Sequence, residues 1–148
     1  GRIASKKAWI LEKVEKVPIY TQPDLVDFIW DVIPAIVIDE KPGKPSPTLH
    51  ITMWVVDCAV EDGITDLYLA AAGPHLPRCE RDLRWAINRA GADIKVHVCE
   101  EITKIPKDFW FDPNSTQPLT QTLQAWEKRE KIIMQLPFSI YRLASLIG

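Results

Sequence analysis

The sequence predicts an α+β domain: a mostly antiparallel sheet of about four strands, with helices packed on it and a helical segment at the C-terminus. Three observations lead there. Short runs rich in β-branched residues at 35–39, 49–60, 64–72 and 93–102 supply four strands. Stretches at 21–34 and 78–90 carry apolar residues at helical spacing. The last thirty residues repeat that spacing, divided by Pro137. At 148 residues and 47% apolar composition, the chain suffices for one domain spanning 1–148.

Taken in order, "SKKAWILEKVEKVPIY" fits a helix through Ile10, Val14 and Val17, although its Val and Ile content and Pro18 also suit extended chain. Residues 1–16 form a basic arm at its start. In "TQPDLVDFIWDVIP", Thr21 offers a cap, Pro23 falls in the first turn, and Leu25, Phe28, Ile29 and Val32 make one stripe before Pro34 stops it. "AIVID" reads as a short buried strand, and the prolines of "EKPGKPSPT" leave a stiff loop. "LHITMWVVDCAV" and "ITDLYLAAA", joined by "EDG", read as an antiparallel hairpin.

Pro74 and Pro77 then bracket a bend into a helix over 78–90. Cys79, Leu83, Ala86, Ile87 and Ala90 face inward, and Gly91 ends the helix in a left-handed cap. In "DIKVHVCEEI", Ile94, Val96 and Val98 alternate with Lys95, His97 and Cys99 as a strand should. "KIPKDFWFDPNSTQP" is a loop with aromatic anchors. A helix with Leu119, Leu123, Trp126 and Ile133 as its stripe follows, then a short second helix, "FSIYRLASLI".

Charge is unevenly spread. Residues 1–16 hold five basic and two acidic side chains, and residues 119–148 hold four and two. The segment between holds the remaining nine basic and sixteen acidic residues of a chain whose net charge is −2. Basic ends around an acidic middle suit contact with an anionic surface, or with the middle of another copy. The cysteines, Cys58, Cys79 and Cys99, are odd in number and widely spaced, which points to an intracellular setting, cytoplasmic or nuclear. No apolar run reaches the roughly 20 residues of a membrane span, so no transmembrane segment is expected.

Three constellations could carry chemistry. Cys79, in the first turn of a helix, would have its thiolate favoured by the helix dipole, and His75 or His97 could serve as its base. The same histidines with Cys79 and Cys99 make a formal Cys2His2 set, but His-x3-Cys and His-x-Cys are looser than structural zinc spacings, and no metal is expected. Asp66 beside the Asp93-x-Lys95 triplet has the residue types of a metal-dependent nuclease, with carboxylates for Mg2+ and a lysine for the phosphate. No Gly-rich phosphate loop or nucleophile elbow is present, and no cofactor is expected.

Six tryptophans are many for this length, and several, Trp54, Trp85 and Trp110 among them, suit contact with a partner. The expectation is therefore a non-enzymatic interaction and assembly protein, comparable in architecture to matrix-type structural proteins. It self-associates through basic terminal elements (Lys6, Lys7, Lys13, Lys128, Arg129 and Lys131) and an acidic, Trp-rich body, with an anionic membrane or nucleic acid as a further partner. The alternatives are the Cys79 enzyme and the Asp66/Asp93/Lys95 nuclease.

Overall fold

The computed structural model describes residues 19–21, 35–38, 46–114 and 118–147. The basic arm with Lys6, Lys7 and Lys13, and the helix expected over 21–34 apart from Thr21, lie outside the described residues. The chain runs β1 (Ile19–Thr21), β2 (Ala35–Val37), α1 (Thr48–Glu61), β3 (Asp66–Leu69), α2 (Leu76–Ala90), β4 (Lys95–Val98) and α3 (Glu100–Thr103). Two 3-10 turns, Lys107–Phe109 and Pro118–Thr120, lead into α4 (Leu123–Gln135) and α5 (Phe138–Ile147).

The expected four-stranded, mostly antiparallel sheet is not what forms. The described residues contain two separate two-stranded sheets, β1 with β2 and β3 with β4, and both pairings are parallel. Helices dominate. The segment 49–60, which reads from its β-branched content as the first hairpin strand, lies instead within the helix α1. Its apolar residues occupy both faces of a would-be strand, so strand periodicity carried little information. Leu49, Thr52, Val56 and Ala59 fall at helical spacing and are the residues it buries. Tertiary packing decides between the two readings: α2 presents Leu83, Ala86 and Ile87, and Val56 and Ala59 of α1 cover them together with Leu67 of β3.

With α1 gone as a strand, β3 pairs with β4, in the register Asp66↔Lys95 to Leu69↔Val98. Parallel strands need a long crossover, and α2 supplies it, giving a β-α-β unit. Thr21, expected to cap a helix, is the last residue of β1 and pairs with Val37. The sheet β1–β2 adjoins α1 through Tyr20, whose ring meets Trp54 edge-on at 6.1 Å and whose hydroxyl donates to Asp62 Oδ2 at 2.8 Å.

α2 has two halves. Leu76 and Cys79 pack with Ala71, Ala72, Cys99, Ile102, Trp110 and Trp126, while Leu83, Ala86 and Ile87 belong to the cluster with α1. Leu49, Val56 and Ile102 are the largest fully buried apolar side chains among the described residues. Burying groups of this size contributes about 1.5–3 kcal/mol each. Ala90, expected inward, is exposed. The helix ends as expected at Gly91, at φ 63°, with its amide donating to Asn88 and Ala92 donating to Ile87. Nothing lies within 4 Å of a Cβ built on Gly91, so a side chain there meets only backbone strain. Gly91→Ala should therefore lower the unfolding free energy by about 1 kcal/mol, read by urea denaturation, with an unchanged circular dichroism spectrum.

Candidate interaction surface

The inward stripe of α2 includes two charged residues, Arg78 and Asp82, one turn apart, each set beside an apolar inward neighbour, Cys79 and Leu83. Arg78 reaches α4. Its Nε donates to Glu130 Oε2 at 2.7 Å and its Nη2 to Oε1 at 2.9 Å, a two-pronged match of guanidinium and carboxylate. Around that pair, Arg78 Nη1 donates to Thr48 Oγ1 at 3.2 Å and the Trp126 indole donates to Glu130 Oε1 at 3.2 Å. His75 Nδ1 lies 3.2 Å from Glu130 Oε1 and 3.1 Å from Arg78 Nη2, with Nε2 at 3.3 Å from Thr48 Oγ1. Burial opposes ionisation of Glu130, but His75 and Arg78 outweigh it and hold the carboxyl down at about 2.

One turn along α2, Asp82 is fully buried. It accepts a short hydrogen bond from Tyr141 of α5 at Oδ2 and bonds from Arg81 Nε and Nη2, at 3.0 and 2.9 Å, at Oδ1. The Arg81 guanidinium in turn lies 4.3 Å from the Tyr141 ring centroid and 5.1 Å from that of Phe138. Burial, then the bond to Asp82, pushes the Tyr141 hydroxyl pKa upward. Both C-terminal helices are thus fastened to α2 by buried charge.

This fastening sorts the charges of the C-terminal segment. Of its acidic residues, Glu130 is taken inward by Arg78 and Glu127 pairs with Lys107 at 2.9 Å. None of Lys128, Arg129, Lys131 and Arg142 forms an ion pair among the described residues. The basic residues of this segment are therefore left without internal ion-pair partners, and its one exposed carboxylate, Glu127, is engaged by Lys107. Large apolar side chains are exposed on the same two helices. Ile132 and Leu136 continue the line of Lys128 at steps of four, and Ile140 and Leu143 sit three apart on α5. The exposure of Ile132 is 51%, of Ile140 55% and of Leu143 59%, high for large apolar groups on adjoining helices.

The opposite charge collects at the end of α1. Asp57, Val60 and Glu61 share one face of its last turns, all exposed, and Asp62 caps it. No basic residue occupies that last turn, so carboxylates stand against the negative end of the helix dipole. Cys58 lies beside them, its thiol pKa raised by burial and then by Glu61, Asp62 and Asp57.

The residues singled out from the sequence fall in different places. Cys79 is buried, and burial pushes its thiol up to about 12, overriding the opposing charge of neighbouring Arg78. His75 belongs to the Glu130 network instead. His97 is on the outer face of β4, stacked on Tyr68 at 4.9 Å, with Nε2 2.7 Å from Asp66 Oδ1; that contact lowers the Asp66 pKa. Asp66 and Lys95 are register partners across the parallel pair, and Asp93 lies exposed two residues before Lys95. No group of three or more His, Cys, Asp or Glu side chains is placed to hold a metal ion among the described residues.

Trp54 and Trp85 are half-buried, Trp85 against Phe138 at 5.4 Å, and Trp110 is buried. Glu130, Arg78 and Asp82 were invisible as site residues because "EKREK" and "PRCERD" read as solvated charge. The available signal was spacing: Arg78 and Asp82 each precede an inward residue by one position, and Glu130 follows Trp126 by four. No helix among the described residues is long and apolar enough to cross a membrane. No family model, curated protein or solved structure matches the chain.

Glu130→Ala strands the Arg78 guanidinium in the interior and should cost about 3–5 kcal/mol in urea denaturation, more than a double replacement of both partners by apolar residues. The ordinary carboxyl value for Glu130 is 4.5 and the folded value about 2. Because the folded value is the lower one, its stabilisation is complete above pH 4.5 and drains away as pH falls from there toward 2. Glu130→Gln should flatten the pH dependence of stability in that window.

Proposed function

We propose that the protein is a non-enzymatic assembly module whose copies join head to tail, the cationic and apolar face of α4 and α5 docking on the acidic end of α1 in a neighbour. The supporting observation is the sorting of charge. Glu130 is taken into the interior by Arg78 and Glu127 is paired with Lys107 at the surface, which leaves Lys128 and Arg142 without ion-pair partners among the described residues, on the same two helices that expose Ile132, Ile140 and Leu143. The proposed acceptor has the matching composition, Val60 at 51% exposure among Asp57, Glu61 and Asp62. A cation arriving there relieves like-charge crowding at the wrong end of a helix dipole. Contact of this kind gives affinity through apolar burial and register through charge. Two different patches meet, so the contact is heterologous and builds chains or rings according to its rotation.

Against a cysteine-based activity stands the protonated, enclosed state of Cys79. Against the nuclease stands the engagement of Asp66 by His97 and Thr65.

Light scattering over a concentration and salt series tests the proposal. Mass should rise with concentration and fall as salt shortens the Debye length from about 10 Å at 0.1 M to about 3 Å at 1 M. Lys128→Glu with Arg142→Glu should abolish the rise, and mixing that variant with Asp57→Lys/Glu61→Lys should restore it. A monomer at millimolar concentration in low salt defeats the proposal. So does association with anionic vesicles or polynucleotide that ignores the α1 substitutions while the protein alone stays monomeric.

A further inference from the structure

A second feature, independent of self-association, lies on the other side of α4. A cleft of about 490 Å³ opens between the loop leading into α2, the α3 region and α4. Its lining includes the apolar residues Pro74, Leu76, Pro77, Ile105, Trp110 and Met134, with Ile102 wholly buried behind them. Trp110 reaches its place only because residue 73 is glycine, since a Cβ there would lie 2.7 Å from the indole Nε1. The cleft is thus held open by a buried aromatic wall on one side and by α4, anchored through Glu130, on the other.

The charges at the cleft nearly cancel. Glu130 is answered by Arg78, and Glu127 by Lys107, whose ion pair bridges from the 3-10 turn to α4. Lys131, one helical turn beyond Glu127, also lines the cleft and has no ion-pair partner among the described residues. The one charge left uncompensated is therefore positive and sits at the rim. Volumes of roughly 300–1,000 Å³ with apolar walls and a few polar groups are characteristic of small-molecule sites.

We infer that this cleft binds a small amphiphilic monoanion, a monocarboxylate whose acyl or aromatic body lies against Met134, Ile105 and the edge of Trp110 while its head meets Lys131. A neutral head forfeits the ion pair, and a cationic head meets Lys131 as a like charge. Decanoate is the probe, titrated calorimetrically below its micelle concentration into protein held at the salt and dilution where light scattering reads a monomer. Saturable binding at one site is expected, tighter than decanol and much tighter than decyltrimethylammonium.

Lys131→Gln, at an exposed position that leaves folding intact, should weaken decanoate binding about three- to fivefold, the scale of an exposed ion pair, and leave decanol unaffected. Met134→Trp should fill the cleft and abolish binding of both. Absence of saturable decanoate binding, or binding indifferent to both Lys131→Gln and the head-group charge, overturns the inference. Retention of full affinity in folded Met134→Trp does the same. Because the titration is run on the monomer, its outcome is separable from that of the association test.

Discussion

The described fold depends on one contact made far along the chain, the bidentate pairing of Arg78 in α2 with Glu130 in α4. Such a pair is an expensive way to fill an interior, because two ions must leave water and only good geometry with further hydrogen bonds recovers the cost. Here the geometry is good on both sides: Thr48, His75 and Trp126 occupy the remaining polar valences. What the pair confers is orientation. An apolar contact would tolerate rotation of α4 about its axis, whereas a forked hydrogen bond does not. The rotation it fixes determines which residues of α4 meet solvent, and so where the cationic face lies and what lines the cleft.

The Asp82 bond to Tyr141 does for α5 what Arg78 does for α4. Together they make α2 a rail of alternating function. On its inward side, charged positions 78 and 82 lie between apolar positions 76, 79, 83, 86 and 87. The apolar residues hold the sheet and α1, and the charged ones hold the C-terminal helices. The sequence between 76 and 90 is therefore strongly amphipathic and at the same time carries charge into the interior.

Much of this was legible in the residues themselves, where local chemistry is strong. The stop of α2 at Gly91, the alternation in β4 and the break at Pro137 depend on near neighbours, and all appear in the structure, while α2 begins at Leu76 rather than 78, with Pro77 inside its first turn. The failures have a common cause. Thr48 to Glu61 carries apolar residues well beyond the stripe it buries, so neither a period of two nor one of 3.6 dominates, and its state is set by α2, which it meets only after folding. Reading it as a strand gave β3 the wrong partner and the sheet the wrong sense. The candidate site was obscured for a related reason. A glutamate in a run of lysine and arginine looks solvated, and nothing nearby in the chain announces a guanidinium 52 residues away.

The division of α2 between two apolar clusters also bears on how the molecule comes apart. Both clusters use the same helix as a wall, one at its N-terminal half and the other at its C-terminal half. Loosening either half releases the shared wall and wets the other, so partial opening costs nearly as much as complete opening. Amide protons along α2 should then exchange only through the global transition, making that helix the slowest-exchanging part of the described chain and the unfolding of its surroundings a single cooperative event.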